Sequence, residues 1–202
     1  MPTIYQLKPI FQNLLRPLTQ RLFRRGVTAN QVTVVAMLLS CAVGALLYGF
    51  STARWPLFLI PLFLFVRMAL NAIDGLLARE HNQKSALGAV LNELGDVVSD
   101  AALYLPFAVL PGVDPALMVL TVLLAVISEM TGVVAIQIGA TRRYDGPMGK
   151  SDRAFVFGVV ALALALGAPP GAWQNLAFGA VALLLLLTIF NRVRSALQEV
   201  QR

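Results

Sequence analysis

Cysteine and histidine are almost absent from this chain, which has one of each, Cys41 and His81, among 202 residues. A disulfide within the chain or a thiolate metal cluster needs more than one cysteine, so both are excluded. Cys41 stands in an apolar stretch, and we interpret it as a small buried hydrophobic residue. His81 stands in a polar stretch without a second histidine or cysteine nearby, and we expect it to be solvated.

Charged residues are also scarce, because they make up 13% of the chain while hydrophobic residues make up 58%. A soluble domain is roughly one-quarter charged. A mean hydropathy of +0.75 indicates more apolar surface than a water-soluble fold of this length can bury. Several apolar stretches are long enough to cross a hydrocarbon core of about 30 Å. The composition therefore predicts an all-α integral membrane protein.

Six apolar stretches follow an amphipathic N-terminal segment. Between Ile4 and Leu22, apolar residues recur at three- and four-residue spacing with basic residues between them, which is typical of a helix in the headgroup layer. Pro9 and Pro17 are expected to kink or split this helix. The six predicted spans are Val32 to Phe50, Pro56 to Ala72, Ala86 to Leu110, Ala116 to Ile138, Arg153 to Gly167 and Trp173 to Ile189.

The basic residues agree with this topology. The net charge of +6 would suggest a nucleic-acid partner for a soluble protein, but a membrane explains it better, so none is expected here. With the N-terminus in the cytoplasm, only Arg54 falls in an outer loop and only Arg67 deep in a span. We predict one domain over 1–202, with a cytoplasmic interfacial helix at 1–27 and a six-helix transmembrane core at 28–192, in a bacterial inner membrane.

Polar residues follow one face of each of two neighbouring predicted spans at helical spacing. In the second span they are Arg67, Asn71 and Asp74, and in the third they are Gly88, Asn92, Asp96 and Asp100. We expect the two stripes to face each other and form a polar cleft. A carboxylate inside a span costs a few kcal/mol, which by default indicates a functional site. The alternative is structural: Asn and Asp could hold two helices together by hydrogen bonds, and Arg67 could neutralise Asp74 or Glu129 of the fourth span.

The segment from Asn71 to Asp96 closely resembles a known motif. It reads Asn71-Ala-Ile-Asp74-Gly75-Leu-Leu-Ala78-Arg79, then eight residues, then Gly88-Ala-Val-Leu-Asn92-Glu-Leu-Gly-Asp96. The CDP-alcohol phosphotransferase family, also called CDP-alcohol phosphatidyltransferases, carries D-x-x-D-G-x-x-A-R-x8-G-x-x-x-D-x-x-x-D. The spacing, both glycines, the Ala-Arg pair and two of the four aspartates match, which is a specific signal. The Thr-Ala-Asn entry at 28–30 is similar too, so the resemblance covers most of the chain.

The resemblance implies a metal-dependent group transfer. A pair of divalent cations, Mg²⁺ or Mn²⁺, would be held at the four acidic positions and would bind the diphosphate of a CDP-linked donor. Those positions are Asn71, Asp74, Asn92 and Asp96. Asp96 would be the catalytic base that takes a proton from the acceptor hydroxyl as the hydroxyl attacks the phosphorus, and CMP would leave.

The resemblance also implies substrate-binding residues. Small side chains at Gly75, Ala78 and Gly88 would let a nucleotide approach the helix backbones; small residues alone would favour tight helix packing, but within this motif we favour the nucleotide. Arg79 would bind a phosphate or, alternatively, anchor its helix at the headgroups. Near the fifth span, Lys150 and Arg153 could receive the phosphate of a phosphorylated acceptor, or could serve as positive-inside anchors.

The main departure from the family pattern is that Asn71 and Asn92 replace two aspartates. An amide oxygen can coordinate a cation, but the two remaining carboxylates balance one divalent ion rather than two. Glu93 points about 100° away from Asn92 around the helix, and Asp100 lies one turn deeper than Asp96, so neither is an obvious substitute. Three outcomes stay open: an enzyme with a weaker or single metal, an enzyme with a changed substrate, or a protein that binds CDP-lipid without turnover.

The predicted function is transfer of a phosphatidyl group from a CDP-linked lipid, CDP-diacylglycerol, to an alcohol acceptor in phospholipid biosynthesis. The resemblance further implies a homodimer, with an active site that faces the cytoplasm. A transporter or channel is one alternative, although neither an inverted repeat nor paired broken helices is evident in the sequence. A second alternative is a non-catalytic lipid-binding or scaffold protein, which the two asparagines would favour.

Overall fold

The structure is a computed structural model that describes residues 4–201, with side chains described from residue 10 onward. Over these residues the chain is helical and contains no strand. The α-helices of the described part are α1 (Ile4–Arg24), α2 (Ala29–Gly49), α3 (Trp55–Glu80), α4 (Ala86–Tyr104), α5 (Pro115–Val134), α6 (Lys150–Ala165) and α7 (Ala172–Val200). Short 3-10 segments, Leu105–Val109 and Ala135–Ile138, follow α4 and α5.

Local sequence signals explain where several helices begin and end. Thr28 and Gln31 form a reciprocal capping box before α2, because the Gln31 N–H donates to Thr28 Oγ1 at 3.2 Å and the Thr28 N–H donates to Gln31 Oε1 at 2.9 Å. The Asp114 side chain caps α5, and Pro115 follows at the first helical position. The third predicted span was expected to continue to Leu110, but the α-helix ends earlier because Pro106 cannot extend it.

Within residues 4–201, four helical segments are long and apolar enough to cross a membrane, namely Ala29–Gly49, Trp55–Glu80, Pro115–Ile138 and Ala172–Val200. They correspond to four of the six predicted spans. The other two predicted spans are helical as well, but α4 carries three carboxylates and α6 has only 16 residues. An all-helical fold with several candidate membrane spans is therefore confirmed for the described residues, and the count of six stays a prediction.

The N-terminal segment forms one helix, α1, which continues through Pro9 and Pro17. The prolines therefore do not split it into two helices, which was one of the two expected outcomes. Arg16 of this helix forms an exposed ion pair with Glu80 at the end of α3, with its Nη2 atom 3.0 Å from Glu80 Oε1. Phe23 stacks on His81 with ring centroids 4.1 Å apart, so the histidine expected to be solvated packs against an aromatic ring instead.

The chain forms two compact units. Unit 1 combines the described residues up to Ala42 with Phe63–Ser99, and unit 2 combines Val43–Leu62 with the described residues from Asp100 onward. The apolar core of unit 1 brings together the start of α2 and the second half of α3, with residues of α1 packed against it. Its buried members are Ala29, Val32, Ile73 and Leu77.

Unit 2 has a small apolar cluster of Ala135, Ala140 and Ala196 and two clusters with larger side chains. One joins α5 to α7 and also includes Met148 of the loop before α6. Its other buried members are Leu124, Ala125, Val181, Ala182 and Leu185. The other is aromatic and contains Tyr104, Phe107, Phe157 and Phe178, of which Tyr104 and Phe157 stack with ring centroids 3.9 Å apart. Burial of large rings in contact is among the stronger stabilising terms available to a helical fold.

Candidate active site

The two halves of the family motif meet at Asp96 within unit 1. Asn71 of α3 donates from Nδ2 to Asp96 Oδ1 of α4 at 3.3 Å. Arg67, one turn before Asn71, donates from Nη2 to the main-chain oxygen of Asp96 at 3.1 Å, and the same nitrogen lies 3.5 Å from Asp96 Oδ1. The face shared by Arg67 and Asn71 on α3 is therefore turned toward the Asp96 face of α4, as the two polar stripes predicted.

Arg67 is buried, with 3% of its surface exposed. The sequence allowed it to neutralise Asp74 or Glu129, and the structure shows an ion pair with Asp96. A guanidinium stays protonated at any physiological pH, so this ion pair places a permanent positive charge beside the expected catalytic base.

Asp74, the other carboxylate of the motif, is buried and interacts with α2. Thr33 Oγ1 donates to Asp74 Oδ2 at 2.9 Å and lies 3.1 Å from the main-chain oxygen of Ala29. A hydroxyl in a helix commonly bonds to the carbonyl four residues earlier, but a carboxylate is the stronger acceptor. The first predicted span therefore contributes a residue that orients a motif carboxylate.

The small residues of the motif do different things. A Cβ atom at Gly75 would lie 3.0 Å from Nη1 of Arg79, so the missing side chain makes room for that guanidinium. A Cβ atom at Gly88 would lie 2.8 Å from Oδ1 of Asn30, at the start of α2. Ala78 instead packs against the apolar core of unit 1. Asn92 is exposed and stands one turn before Asp96 on α4.

The two residues expected on the acceptor side, Lys150 and Arg153, lie in the first turn of α6 in unit 2. Lys150 is half-buried, whereas Arg153 is 1% exposed. Nη2 of Arg153 lies 2.8 Å from Asp100 Oδ2 and 3.0 Å from Glu129 Oε1. Arg153 thus already contacts two carboxylates inside unit 2, and Asp100 is a partner of this arginine.

Glu129 of α5 is the centre of this ionic cluster. Besides Arg153, its carboxylate lies 3.2 Å from Nη2 of Arg142 and 3.5 Å from Nη1 of Arg192. Arg192 also donates to the main-chain oxygen of Ser128 and, at 3.3 Å, to that of Asp145. The cluster joins α5, α6, α7 and the loop before α6, and buried charges of this kind are tolerated when each meets an opposite charge.

A second ionic contact lies in the polar loop before α6. Arg143 donates from Nε to Asp145 Oδ2 at 2.8 Å and from Nη1 to Glu199 Oε2 at 2.5 Å. The hydrogen bond from Arg143 lowers the pKa of the Asp145 carboxyl, and the same bond raises the pKa of Arg143. Both charges are therefore stabilised in the folded protein at neutral pH.

The chemistry of the motif residues in unit 1 suits a hard divalent cation, because Asp74, Asp96 and the amides of Asn71 and Asn92 offer oxygen donors. The carboxylates are fewer than in the family pattern. Among the residues that the structure describes, no group of three or more His, Cys, Asp or Glu side chains could hold a metal ion. The donor set therefore fits a divalent cation only with help from amide or substrate oxygens.

The sequence did not single out Thr33 or Asn30 as site residues, although Asn30 ends the Thr-Ala-Asn entry and Thr33 lies three residues later, in the first predicted span. Their spacing places them on one face of α2, and both meet motif residues, Asp74 and Gly88 respectively. A polar face on an otherwise apolar helix was the signal that could have identified them.

An all-helical fold with candidate membrane spans and this motif is typical of enzymes that transfer lipid-linked phosphate groups. Comparison with known proteins agrees. The CDP-alcohol phosphatidyltransferase family matches residues 26–193, and the chain belongs to this family. Inner membrane protein YnbA of Escherichia coli (strain K12) is 49% identical over 197 residues, which cover 96% of each chain. Phosphatidylinositol phosphate synthase of Streptomyces avermitilis is 31% identical over 101 residues, covering 50% of this chain and 40% of that protein.

Solved structures share the fold at low sequence identity. The crystal structure of Mycobacterium tuberculosis phosphatidylinositol phosphate synthase with CDP-DAG bound has a TM-score of 0.75 and 20% identity, and the match covers 89% of this chain and 92% of that chain. The crystal structure of the same enzyme in complex with manganese and citrate has a TM-score of 0.76 and 20% identity, covering 90% and 88%. At this identity the likeness establishes the fold.

Proposed function

We propose that this protein is a phosphatidyltransferase that moves a substituted phosphate group from a CDP-linked lipid, CDP-diacylglycerol, to an alcohol acceptor and releases CMP. The observation that carries the proposal is the hydrogen bond from Asn71 to Asp96, because it brings the two halves of the family motif face to face inside unit 1. Family membership supports the reaction class. A relative with CDP-DAG bound supports the donor.

The motif residues have separate roles in this proposal. Asp74 and Asp96, with Asn92 and Asn71, would hold Mg²⁺ or Mn²⁺, and a bound ion of that kind neutralises charge on the donor diphosphate. Support for a divalent metal comes from the related crystal structure that contains manganese. Thr33 orients Asp74 through the hydroxyl bond, and Arg67 together with Asn71 orients Asp96.

The proton transfer is assigned to Asp96. Its carboxylate accepts the proton of the acceptor hydroxyl as that oxygen attacks the phosphorus, the bond from phosphorus to the CMP oxygen breaks, and CMP leaves. Arg79, whose guanidinium lies beside Gly75, is proposed to bind a donor phosphate, and Ala78 and Gly88 are proposed to leave room for the nucleotide. Asp96 is the residue whose loss should affect the chemical step most directly.

The acceptor contacts are proposed to lie at the start of α6. Lys150 is the more exposed of the two candidates, whereas Arg153 contacts Asp100 and Glu129 and would have to exchange one of these carboxylates for an acceptor phosphate. The acceptor is an alcohol, and a phosphorylated alcohol would be recognised through Lys150. A homodimer is the proposed assembly, on family resemblance.

We further propose six spans, an interfacial α1 and a cytoplasmic active site in a bacterial inner membrane. Four of these spans are helices of sufficient length and apolarity, and α4 and α6 would be the other two. Packing of the polar face of α4 against α3 supports its insertion, because Asp96 is then shielded from lipid by Asn71 and Arg67. The Escherichia coli relative, an inner membrane protein by name, supports the location.

A second candidate function is a family member that binds CDP-lipid without turnover. The contact of Arg67 with Asp96 favours it, because a carboxylate engaged in an ion pair is less available to a metal ion or to an acceptor hydroxyl. The two asparagines in place of aspartates favour it as well. In this alternative the protein would retain donor binding and lack CMP release.

Release of CMP from CDP-diacylglycerol by the purified full-length protein tests the proposal. The assay uses Mg²⁺ or Mn²⁺ and a panel of alcohol acceptors, with and without a phosphate. Metal-dependent release that requires one acceptor is expected. The variants Asp74→Ala and Asp96→Ala should abolish it, and Asp96→Asn should stop turnover while CDP-lipid still binds.

The matched control is Glu93→Gln, which removes a carboxylate from another face of α4 and should retain release. Undiminished turnover by Asp96→Asn would remove Asp96 as the base. Donor binding without release for every acceptor would establish the second candidate function instead.

A further inference from the structure

The electrostatic balance of the motif site in unit 1 differs from that of a site with four carboxylates. Two carboxylates, Asp74 and Asp96, are joined by two neutral amides and by the buried guanidinium of Arg67. Two divalent cations bring four positive charges, which two carboxylates offset only by half. A third fixed positive group next to Asp96 makes a second divalent ion still less favourable, because like charges a few Å apart repel strongly at low dielectric.

Arg67 is held in place by its contact with the backbone. Its Nη2 atom donates to the main-chain oxygen of Asp96 at 3.1 Å and stands 3.5 Å from the side-chain oxygen Oδ1 of the same residue. A main-chain acceptor cannot rotate away, so the guanidinium stays near the carboxylate regardless of the side-chain rotamer of Asp96. The positive charge is therefore a fixed part of the site.

The side-chain amide of Asn71 presents its N–H group, and not its oxygen, to the same Oδ1 atom of Asp96. Its Nδ2 atom donates to Asp96 Oδ1 at 3.3 Å, and Nη2 of Arg67 lies 3.5 Å from the same oxygen. A cation shared between positions 71 and 96 would require oxygen donors from both. At Asp74, the hydroxyl of Thr33 donates to Oδ2.

We infer that this site binds one divalent cation, and that the guanidinium of Arg67 supplies at Asp96 the positive charge that a second cation would otherwise supply. The inference rests on the proposed function, because oxygen atoms of the donor diphosphate complete the coordination of the single ion. Asn71 and Asn92 are consistent with this count. The two asparagines remove two negative charges from the family pattern, and one fewer divalent cation removes two positive charges. Arg67 acts as a positioning residue through Asp96.

Binding of Mn²⁺ to the full-length protein, followed by electron paramagnetic resonance, tests the inference. The titration is made with Mn²⁺ alone and with Mn²⁺ plus CDP-diacylglycerol. One Mn²⁺ per chain with the spectrum of an isolated ion is expected in the wild type. Asn71→Asp combined with Asn92→Asp should bind two Mn²⁺ per chain with a spin-coupled spectrum.

The matched control is Asn82→Asp, the same chemical change in the exposed loop after α3, which should leave one uncoupled Mn²⁺ per chain. Arg67→Gln provides a second variant, and it should raise Mn²⁺ affinity about tenfold because a competitor for Asp96 is removed. Unchanged affinity in Arg67→Gln would overturn the role of Arg67.

Two spin-coupled ions in the wild type would overturn the inference, and so would the absence of bound Mn²⁺ in the presence of CDP-diacylglycerol. These readouts do not depend on turnover. A wild type with one bound Mn²⁺ and no CMP release would therefore contradict the proposed function while supporting the ion count.

Discussion

Thr33 Oγ1 lies 2.9 Å from Asp74 Oδ2, so a hydroxyl of α2 orients a carboxylate of α3. We predict that Thr33→Val, which keeps the side-chain shape and removes the hydroxyl, lowers the rate of CMP release about tenfold, because a hydrogen bond to a charged group is worth about 1.5 kcal/mol or more. Thr33→Ser keeps the hydroxyl and should retain most activity. Equal losses in both variants would indicate a packing effect instead.

The buried carboxylate of Glu129 provides a prediction about stability. Glu129→Gln leaves Arg153 and Arg192, both almost fully buried, without the negative charge that lies within 3.5 Å of each. We expect the free energy of unfolding in detergent to fall by about 3 kcal/mol, the usual cost of removing one partner of a buried ion pair.

The matched control for Glu129 is Glu80→Gln, which removes the carboxylate of the exposed ion pair with Arg16. Exposed pairs contribute little because solvent screens them, so the unfolding curve should hardly move. An equal effect of the two substitutions would show that burial is not what makes the Glu129 contacts important.

The close approach of α2 to α4 at Gly44 provides a second prediction about stability. A Cβ atom there would lie 1.9 Å from the main-chain oxygen of Ala102, and a backbone atom cannot move aside. We expect Gly44→Ala to lower the free energy of unfolding by about 1 to 3 kcal/mol, as overpacked substitutions do. Gly49→Ala, at the end of the same helix with no atom within 4 Å, should be neutral; both are measured by thermal unfolding in detergent.

The ion pair between Arg143 and Asp145 in the loop before α6 predicts that the stability of the fold depends on pH. The pKa of Asp145 is lowered from its ordinary value of 3.8 by the hydrogen bond from Arg143. A carboxyl whose pKa is lower in the folded than in the unfolded protein stabilises the fold at pH values above its pKa in the unfolded chain. This stabilisation is lost as the pH falls through the pKa of the folded protein. The difference in melting temperature between wild type and Asp145→Asn should therefore be constant from neutral pH to about pH 5 and shrink at lower pH.

A control for the pH prediction is the same substitution in an Arg143→Gln background. The pKa of Asp145 should then be near its ordinary value, because the main cause of the shift is absent. The effect of Asp145→Asn should become nearly independent of pH there. A persistent pH dependence would assign the stabilisation to other neighbours of Asp145.

The sequence alone was sufficient for the helical membrane fold and for the family, which the comparison confirms. The length of an apolar stretch and the helical spacing of its residues are local features of the sequence. The positions of the helices therefore follow from composition and spacing. The polar stripes at Asn71 and Asp96 were also predicted to face each other, and the structure shows their contact. The number of spans, the homodimer and the residue roles stay predictions.

Only the tertiary structure decided which charges meet. The sequence allowed Arg67 to pair with Asp74 or Glu129, and the rotation of α3 against α4 places it beside Asp96, a partner that the sequence had not indicated. Arg153 was a candidate for acceptor binding, and the packing of unit 2 places it between Asp100 and Glu129. Spacing along one helix determines which residues share a face, whereas partner choice depends on how neighbouring helices are rotated and how closely they approach.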